Sequence, residues 1–156
     1  MYSKFIIFSL LLVIAVSCKK ADTAPDFSAI DKSIIEGYLN EKNLTAQSTP
    51  SGLYYIISTP GASIHPTINS SVTAFYRGYL ANGTIFDQST YTTNTPATFP
   101  LANVIKGWQE GLPLIGAGGK IKLLIPSALG YGNVAKSGIP LNSVLIFDID
   151  LRAISK

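Results

Sequence analysis

The chain has one cysteine (Cys18), one histidine (His65), one tryptophan (Trp108) and one methionine in 156 residues. A lone cysteine excludes an intramolecular disulfide, so the fold must rest on its own core. With a single imidazole and a single thiol far apart in sequence, no His/Cys metal cluster of the usual spacing exists. The acids Asp87, Glu110, Asp148 and Asp150 are scattered, which argues against a carboxylate-only metal site. Asp148 and Asp150 share one strand face, and alternation is expected to aim both at solvent while Phe147 and Ile149 face inward. No Gly-x-Ser-x-Gly is present for a nucleophile elbow. The run Gly116-Ala117-Gly118-Gly119-Lys120 looks like a phosphate loop but fails the pattern. Leu114 stands where its first glycine belongs and Ile121 replaces Ser/Thr, so the run reads as a turn. A formal net charge of +3 gives no support for nucleic-acid binding or a polybasic membrane patch. The longest apolar run, 5–16, falls short of the about 20 residues a membrane-spanning helix needs.

That run has instead the length of a signal-peptide core, preceded by Lys4 and ending in Ala15-Val16-Ser17-Cys18. Small residues before a lone cysteine resemble a bacterial lipobox. Residues 1–17 are therefore expected to be a lipoprotein signal and Cys18 the lipidated N-terminus, which would tie the protein to a membrane of the bacterial envelope. An ordinary secretory signal with an incidental cysteine is the alternative. Residues 18–26 mix Ala, Thr, Pro and charges without an apolar period and read as a flexible tether. From Phe27 the pattern turns helical to about Lys42. Phe27, Ile30, Ile34 and Tyr38 are joined by Ile35 and Leu39 on one side, with Asp31, Lys32, Glu36 and Asn40 on the other. Gly37 weakens this helix by about 1 kcal/mol relative to Ala. The helix could pack on the domain, form a homodimer arm or act as a stalk; an apolar stripe that must be buried favours the first two. The divisions expected are an N-terminal helical segment, 27–46, and a domain, 47–156.

Within that domain, 47–52 reads as a turn-rich break and 53–58 as a strand ended by Pro60-Gly61. A strand over 72–80 meets the hairpin pair Asn82-Gly83, and Thr84-Ile85-Phe86 returns. Residues 87–96 form a polar loop and 98–101 a short strand or edge. Residues 106–112 form a short helix, 120–125 a strand, 126–142 a long loop and 143–154 a last strand. Four or five strands and one internal helix make an antiparallel α+β domain.

The aromatics Tyr76, Phe86, Phe99, Trp108, Tyr131 and Phe147 all lie beside strand or turn signals. Singly, each reads as core. Together they include several with glycine neighbours (Gly78, Gly107, Gly130, Gly132), which let a backbone bend around a cavity. An aromatic-walled pocket poor in polar groups is unsuited to nucleophilic, metal or general-base chemistry. It is suited to desolvating an apolar ring and holding the amide beside it.

Five ordered blocks, 72–78, 82–87, 104–112, 119–132 and 145–151, make the region from Gly52 to Ile154 similar to the FKBP-type peptidyl-prolyl cis/trans isomerases. The resemblance implies a five- to six-stranded antiparallel sheet half-wrapped around one short helix, with an extra N-terminal helix, and isomerase activity on Xaa-Pro bonds without a cofactor. It makes Trp108 the pocket floor, Tyr76, Phe86, Val104, Ile105 and Phe147 the walls, and Asp87 the acid at the rim. It gives Phe99 as an inward aromatic, Tyr131 as a hydroxyl donor to the substrate carbonyl, and Ile139 as a side chain plus a backbone N–H. Ala97 stands where many members have another aromatic wall, and the loop 88–96 lacks the arginine that some members pair with the pocket acid. The partners implied are proline-containing unfolded or exported polypeptides. Two rivals stand beside it: a non-enzymatic chaperone or proline-segment binder of the envelope, and a β-rich surface protein whose aromatics are only core.

Overall fold

The computed structural model of the chain describes residues 26–89 and 95–156. The signal-peptide and lipidation readings, Cys18 included, and nearly all of the tether lie outside the described residues, as does 90–94 in the polar loop.

Helix α1 (Phe27–Glu41) opens on Asp26, whose carboxylate accepts the Ser28 and Ala29 N–H groups, so this residue caps the helix instead of ending a tether. Strands β1 (Gln47–Ser48), β2 (Tyr54–Thr59), β3 (Ser71–Leu80), β4 (Ile85–Gln88) and β5 (Ala97–Pro100) follow. Helix α2 (Lys106–Gly111) then precedes β6 (Lys120–Ile125) and β7 (Leu145–Ser155). All pairings are antiparallel, in the order β1-β2-β6-β7-β3-β4, with β5 also on β3. The sheet therefore has seven strands, against the five to six expected. Two-residue β1 is too short to show alternation, which is why its stretch has the look of a turn-rich break in sequence. Strand β4 runs two residues past Phe86 because Asp87 and Gln88 pair with Gly78 and Arg77. The hairpin at Asn82-Gly83 is present, closed by Leu80 N–H to Thr84 O at 2.9 Å.

Both faces of the central strands are covered, so β7 is buried almost continuously along its first half. On one face Leu145, Phe147, Ile149 and Leu151 join Ile121, Leu123, Ile125 and Trp108 in the main core. On the other, Ile146 and Leu124 meet Ile35 and Leu39 of α1. The helix is thus packed on its own domain. The buried stripe differs from the one expected: Asp31, Ile35 and Leu39 are inside, whereas Phe27, Ile30 and Ile34 stay exposed. Asp31 goes in because its carboxylate finds two donors on Ser127. Asp150 also departs from the expected solvent exposure. It does lie on the face opposite Phe147, but only 8% of it is exposed, beneath Lys120 at 3.4 Å and Arg152 at 3.2 Å. Asp148 pairs with Lys122.

Helix α2 lies unusually close to the sheet. A Cβ on Gly107 would come within 2.6 Å of Ile125, and one on Gly111 within 2.6 Å of Leu123. One turn apart on a single face, the two glycines let the helix backbone sit directly on β6. This brings Trp108 down onto the core.

Candidate active site

Trp108 stands on α2 and its indole meets three other rings edge-on. The centroid distances are 5.5 Å to Tyr76, 5.8 Å to Phe99 and 5.3 Å to Phe147, at interplanar angles of 83°, 83° and 87°. Such T-shaped contacts suit the quadrupoles of the rings and fix their orientations. Tyr76, on β3, also packs against Phe99 at 5.8 Å, and Phe86, on β4, against Phe147 at 5.5 Å. Gly78 makes the last pairing fit. It lies between Asp87 and Phe147 in register, and a Cβ there would stand 2.6 Å from the Phe86 ring and 2.7 Å from the Phe147 ring.

These walls enclose an open cavity of about 440 Å³. All ten residues expected at the pocket border it: Tyr76, Phe86, Asp87, Phe99, Val104, Ile105, Trp108, Tyr131, Ile139 and Phe147. Trp108 is 4% exposed, so the indole belongs to the core and to the cavity floor at once. Its Nε1–H is buried with no hydrogen-bond acceptor among the described residues. Asn103, Lys136 and Ser137 complete the lining and were not foreseen as site residues. Position beside Val104 and Ile139 was their only signal, since a rim residue has no periodicity of its own.

The segment before α2 is fixed by Gln109, whose side-chain amide donates to Ala102 O at 3.2 Å and Val104 O at 2.8 Å. This holds Val104 and Ile105 where chain direction changes into the helix. The other rim is a tight loop in which Lys136 and Ile139 bond one another's backbones. The Ile139 N–H donates to Lys136 O at 2.9 Å, so it is engaged inside the loop and is not the free donor that the resemblance implied. The side chain of Ile139 remains in the wall. Lys136 Nζ lies 5.5 Å over the Tyr131 ring.

Polar groups at the cavity are few and specific. The Tyr76 hydroxyl donates to Asp87 Oδ2 at 2.8 Å. Burial first, then this bond, holds the Tyr76 hydroxyl well above the usual tyrosine range. Burial, then the neighbouring charge of Asp87, raises Tyr131 as well. Both phenols are therefore protonated donors at neutral pH. His65 is remote from this chemistry, with its Nδ1 2.8 Å from Pro113 O. Among the described residues no group of three His, Cys, Asp or Glu could hold a metal ion, and no helix is long and apolar enough to cross a membrane.

A half-open antiparallel sheet thus cups an apolar, indole-floored cavity against one short helix. The chain belongs to the FKBP-type peptidyl-prolyl cis-trans isomerase family, whose model matches residues 62–152. It is 47% identical over 125 residues to the FKBP-type isomerase FkpA of Buchnera aphidicola from Schizaphis graminum, covering 77% of this chain and 49% of that protein. With FkpA of Escherichia coli K12 it shares 41% over 137 residues, covering 88% and 50%. The isomerase Mip of Coxiella burnetii is 40% identical over 118 residues, covering 75% and 51%. The chain spans about half the length of these curated relatives. Among solved structures, FkpA from Escherichia coli superposes with a TM-score of 0.73 at 40% identity, covering 83% of this chain and 60% of that one. A peptidyl-prolyl isomerase from Pseudomonas syringae superposes at 0.71 with 31% identity, covering 87% and 100%.

Proposed function

We propose that the protein speeds cis/trans rotation about Xaa-Pro bonds of exported polypeptides, with the Trp108 cavity as its site. One observation carries this reading: a cavity of about 440 Å³, floored by Trp108 and walled by Tyr76, Phe86 and Phe147, has a protonated Tyr131 hydroxyl on its border. The barrier to be lowered is about 18–20 kcal/mol, because amide resonance is lost in the twisted state. Uncatalysed, rotation about Xaa-Pro takes tens to hundreds of seconds. Water stabilises the charge separation of the planar amide more than that of the twisted one. A wall that excludes water therefore favours the twisted state relative to the ground state. The proline ring lies on the indole and contributes binding of about 25 cal/mol per Å² of apolar area. Tyr131 donates to the substrate carbonyl and holds that side of the bond while the other turns. Asp87 fixes the Tyr76 phenol in the wall. No bond to the protein forms and no proton is transferred.

The test is a protease-coupled assay on an Ala-Leu-Pro-Phe peptide. Acceleration at nanomolar to micromolar protein supports the reading, and an unchanged rate at micromolar protein refutes it. A proline-containing ligand should also perturb Trp108 fluorescence, whereas an indole sealed in core would not respond.

Diacylation of Cys18 places this domain on a membrane of the bacterial envelope, beside newly exported chains. The mass of the protein processed in a bacterial host decides it: a diacylglyceryl adduct that vanishes in Cys18→Ser is the expected result. The exposed stripe of Phe27, Ile30 and Ile34 is the part of α1 left for a second copy, and sedimentation of wild type against an Ile30→Glu variant tests that pairing.

A further inference from the structure

The turn that carries Tyr131 is fastened to the N-terminal helix by a buried carboxylate. Asp31, in the first half of α1, is 1% exposed. Its Oδ2 accepts the Ser127 backbone N–H at 2.8 Å and the Ser127 hydroxyl at 2.6 Å. Ser127, 2% exposed, passes the constraint on. Its carbonyl accepts the N–H groups of Gly130 at 3.0 Å and Gly132 at 2.9 Å, the two residues that flank Tyr131. The Gly132 carbonyl in turn accepts Asn142 N–H at 2.7 Å. Two hydrogen bonds thus separate the α1 carboxylate from the backbone on either side of the phenol.

The arrangement is a poor solution if stability alone is at stake. Taking a carboxylate out of water is expensive unless each oxygen finds donors. Here Oδ1 is buried with no hydrogen-bond partner among the described residues. A hydrogen-bonded neutral side chain, or a well-packed apolar one, would hold α1 on the sheet at lower desolvation cost. Local rules are broken in this way mainly where function needs the geometry. A doubly accepting carboxylate fixes both the turn and the direction of its exit, and charge-assisted bonds are about twice as strong as neutral ones.

We propose that Asp31 is a positioning residue for the isomerase reaction: through Ser127 it sets the place of the Tyr131 hydroxyl over the cavity. The N-terminal helix is then part of the catalytic frame, although it lies before the matched family region that begins at residue 62. The inference rests on the role given to Tyr131 above.

The test is a double-mutant cycle between Asp31 and Tyr131 in the full chain, assayed well below each variant's melting temperature. Asp31→Ala is expected to lower kcat/KM about tenfold in the wild-type background, mostly in kcat, and less than about twofold when Tyr131 is already Phe. Asp31→Asn keeps an oxygen that can accept both Ser127 bonds and should recover most of the loss. A purely structural role would reduce activity equally in both backgrounds, and that result overturns the proposal. If Asp31→Ala does not fold, Ser127→Ala removes only the hydroxyl bond. The same cycle should then show a loss of about threefold that disappears with Tyr131→Phe, and equal losses would again overturn it. A wild-type protein without isomerase activity would refute the functional reading itself; an active wild type with additive variants refutes only the coupling.

Discussion

At the scale of single residues, Trp108 serves two demands. It is 4% exposed and belongs to the main core, so Trp108→Ala removes about 3–5 kcal/mol of stability along with the cavity floor. Trp108→Phe keeps the packing better, and its prediction is a fall in turnover of about tenfold with a folded protein by circular dichroism. Asp87 is the cleaner probe because it is exposed and, among the described residues, its carboxylate accepts only the Tyr76 hydroxyl. Asp87→Ala should change unfolding free energy by no more than about 1 kcal/mol while lowering kcat/KM, and full activity would remove Asp87 from the site. The pH profile follows from the phenols. Tyr131 is held above its ordinary value near 10 by burial, so it stays a donor through the range where a free tyrosine would begin to ionise. Turnover should be flat from about pH 6 to 9, and a decline centred near 7 would point to a catalytic imidazole that this site does not contain.

At the scale of elements, much was legible because periodicity reports burial. Strand β6 is read to its ends, since Lys120–Ile125 is bounded by a glycine turn and a proline. The helix α2 is foretold by the Lys106–Leu112 run. The aromatic set and its glycines were visible as a pattern, though not their distances. What failed has physical causes. Hydropathy places Asp31 on the outer side of α1, and only tertiary contact with Ser127 reveals the reason for its burial. The burial of Asp150 depends on Lys120 from another strand, which no local pattern encodes. The engaged N–H of Ile139 is a matter of loop closure, invisible to residue type. Two predictions belong here. Ile35→Ala should destabilise the whole domain by about 2–4 kcal/mol in denaturant melts, because that side chain is 1% exposed between α1 and the sheet; no change would make α1 a loose appendage. Gly78→Ala must push the Phe86 and Phe147 rings apart, so it should cost about 1–3 kcal/mol and lower activity further than stability alone explains.

At the scale of the whole molecule, one sheet carries a cavity on one face and a helix on the other. The helix face is held by a polar network in which Lys122 donates to Tyr79 at 2.6 Å and to Asp148, and Tyr38 meets Tyr79 at 3.3 Å. Burial, then the bond to Tyr38, drives the Tyr79 hydroxyl far above the usual tyrosine range, as happens to Tyr76 on the cavity side. A folded state that keeps phenols neutral is favoured only while the unfolded chain keeps them neutral too. The stabilisation is therefore complete below about pH 10 and is lost as pH rises beyond it, where unfolded tyrosines ionise first. Melting temperature should hold steady to about pH 9.5 and then fall, less steeply in Tyr79→Phe. The central claim is that the indole-floored cavity lowers the barrier to rotation about a prolyl amide. NMR exchange spectroscopy on an Ala-Leu-Pro-Phe peptide tests it most directly, by the cis/trans cross-peaks that grow when exchange becomes fast. With catalytic wild-type protein the cross-peaks should build up within a second, and with Trp108→Phe they should weaken strongly. Cross-peaks equally absent with and without wild-type protein, or equally strong in both variants, would contradict the account.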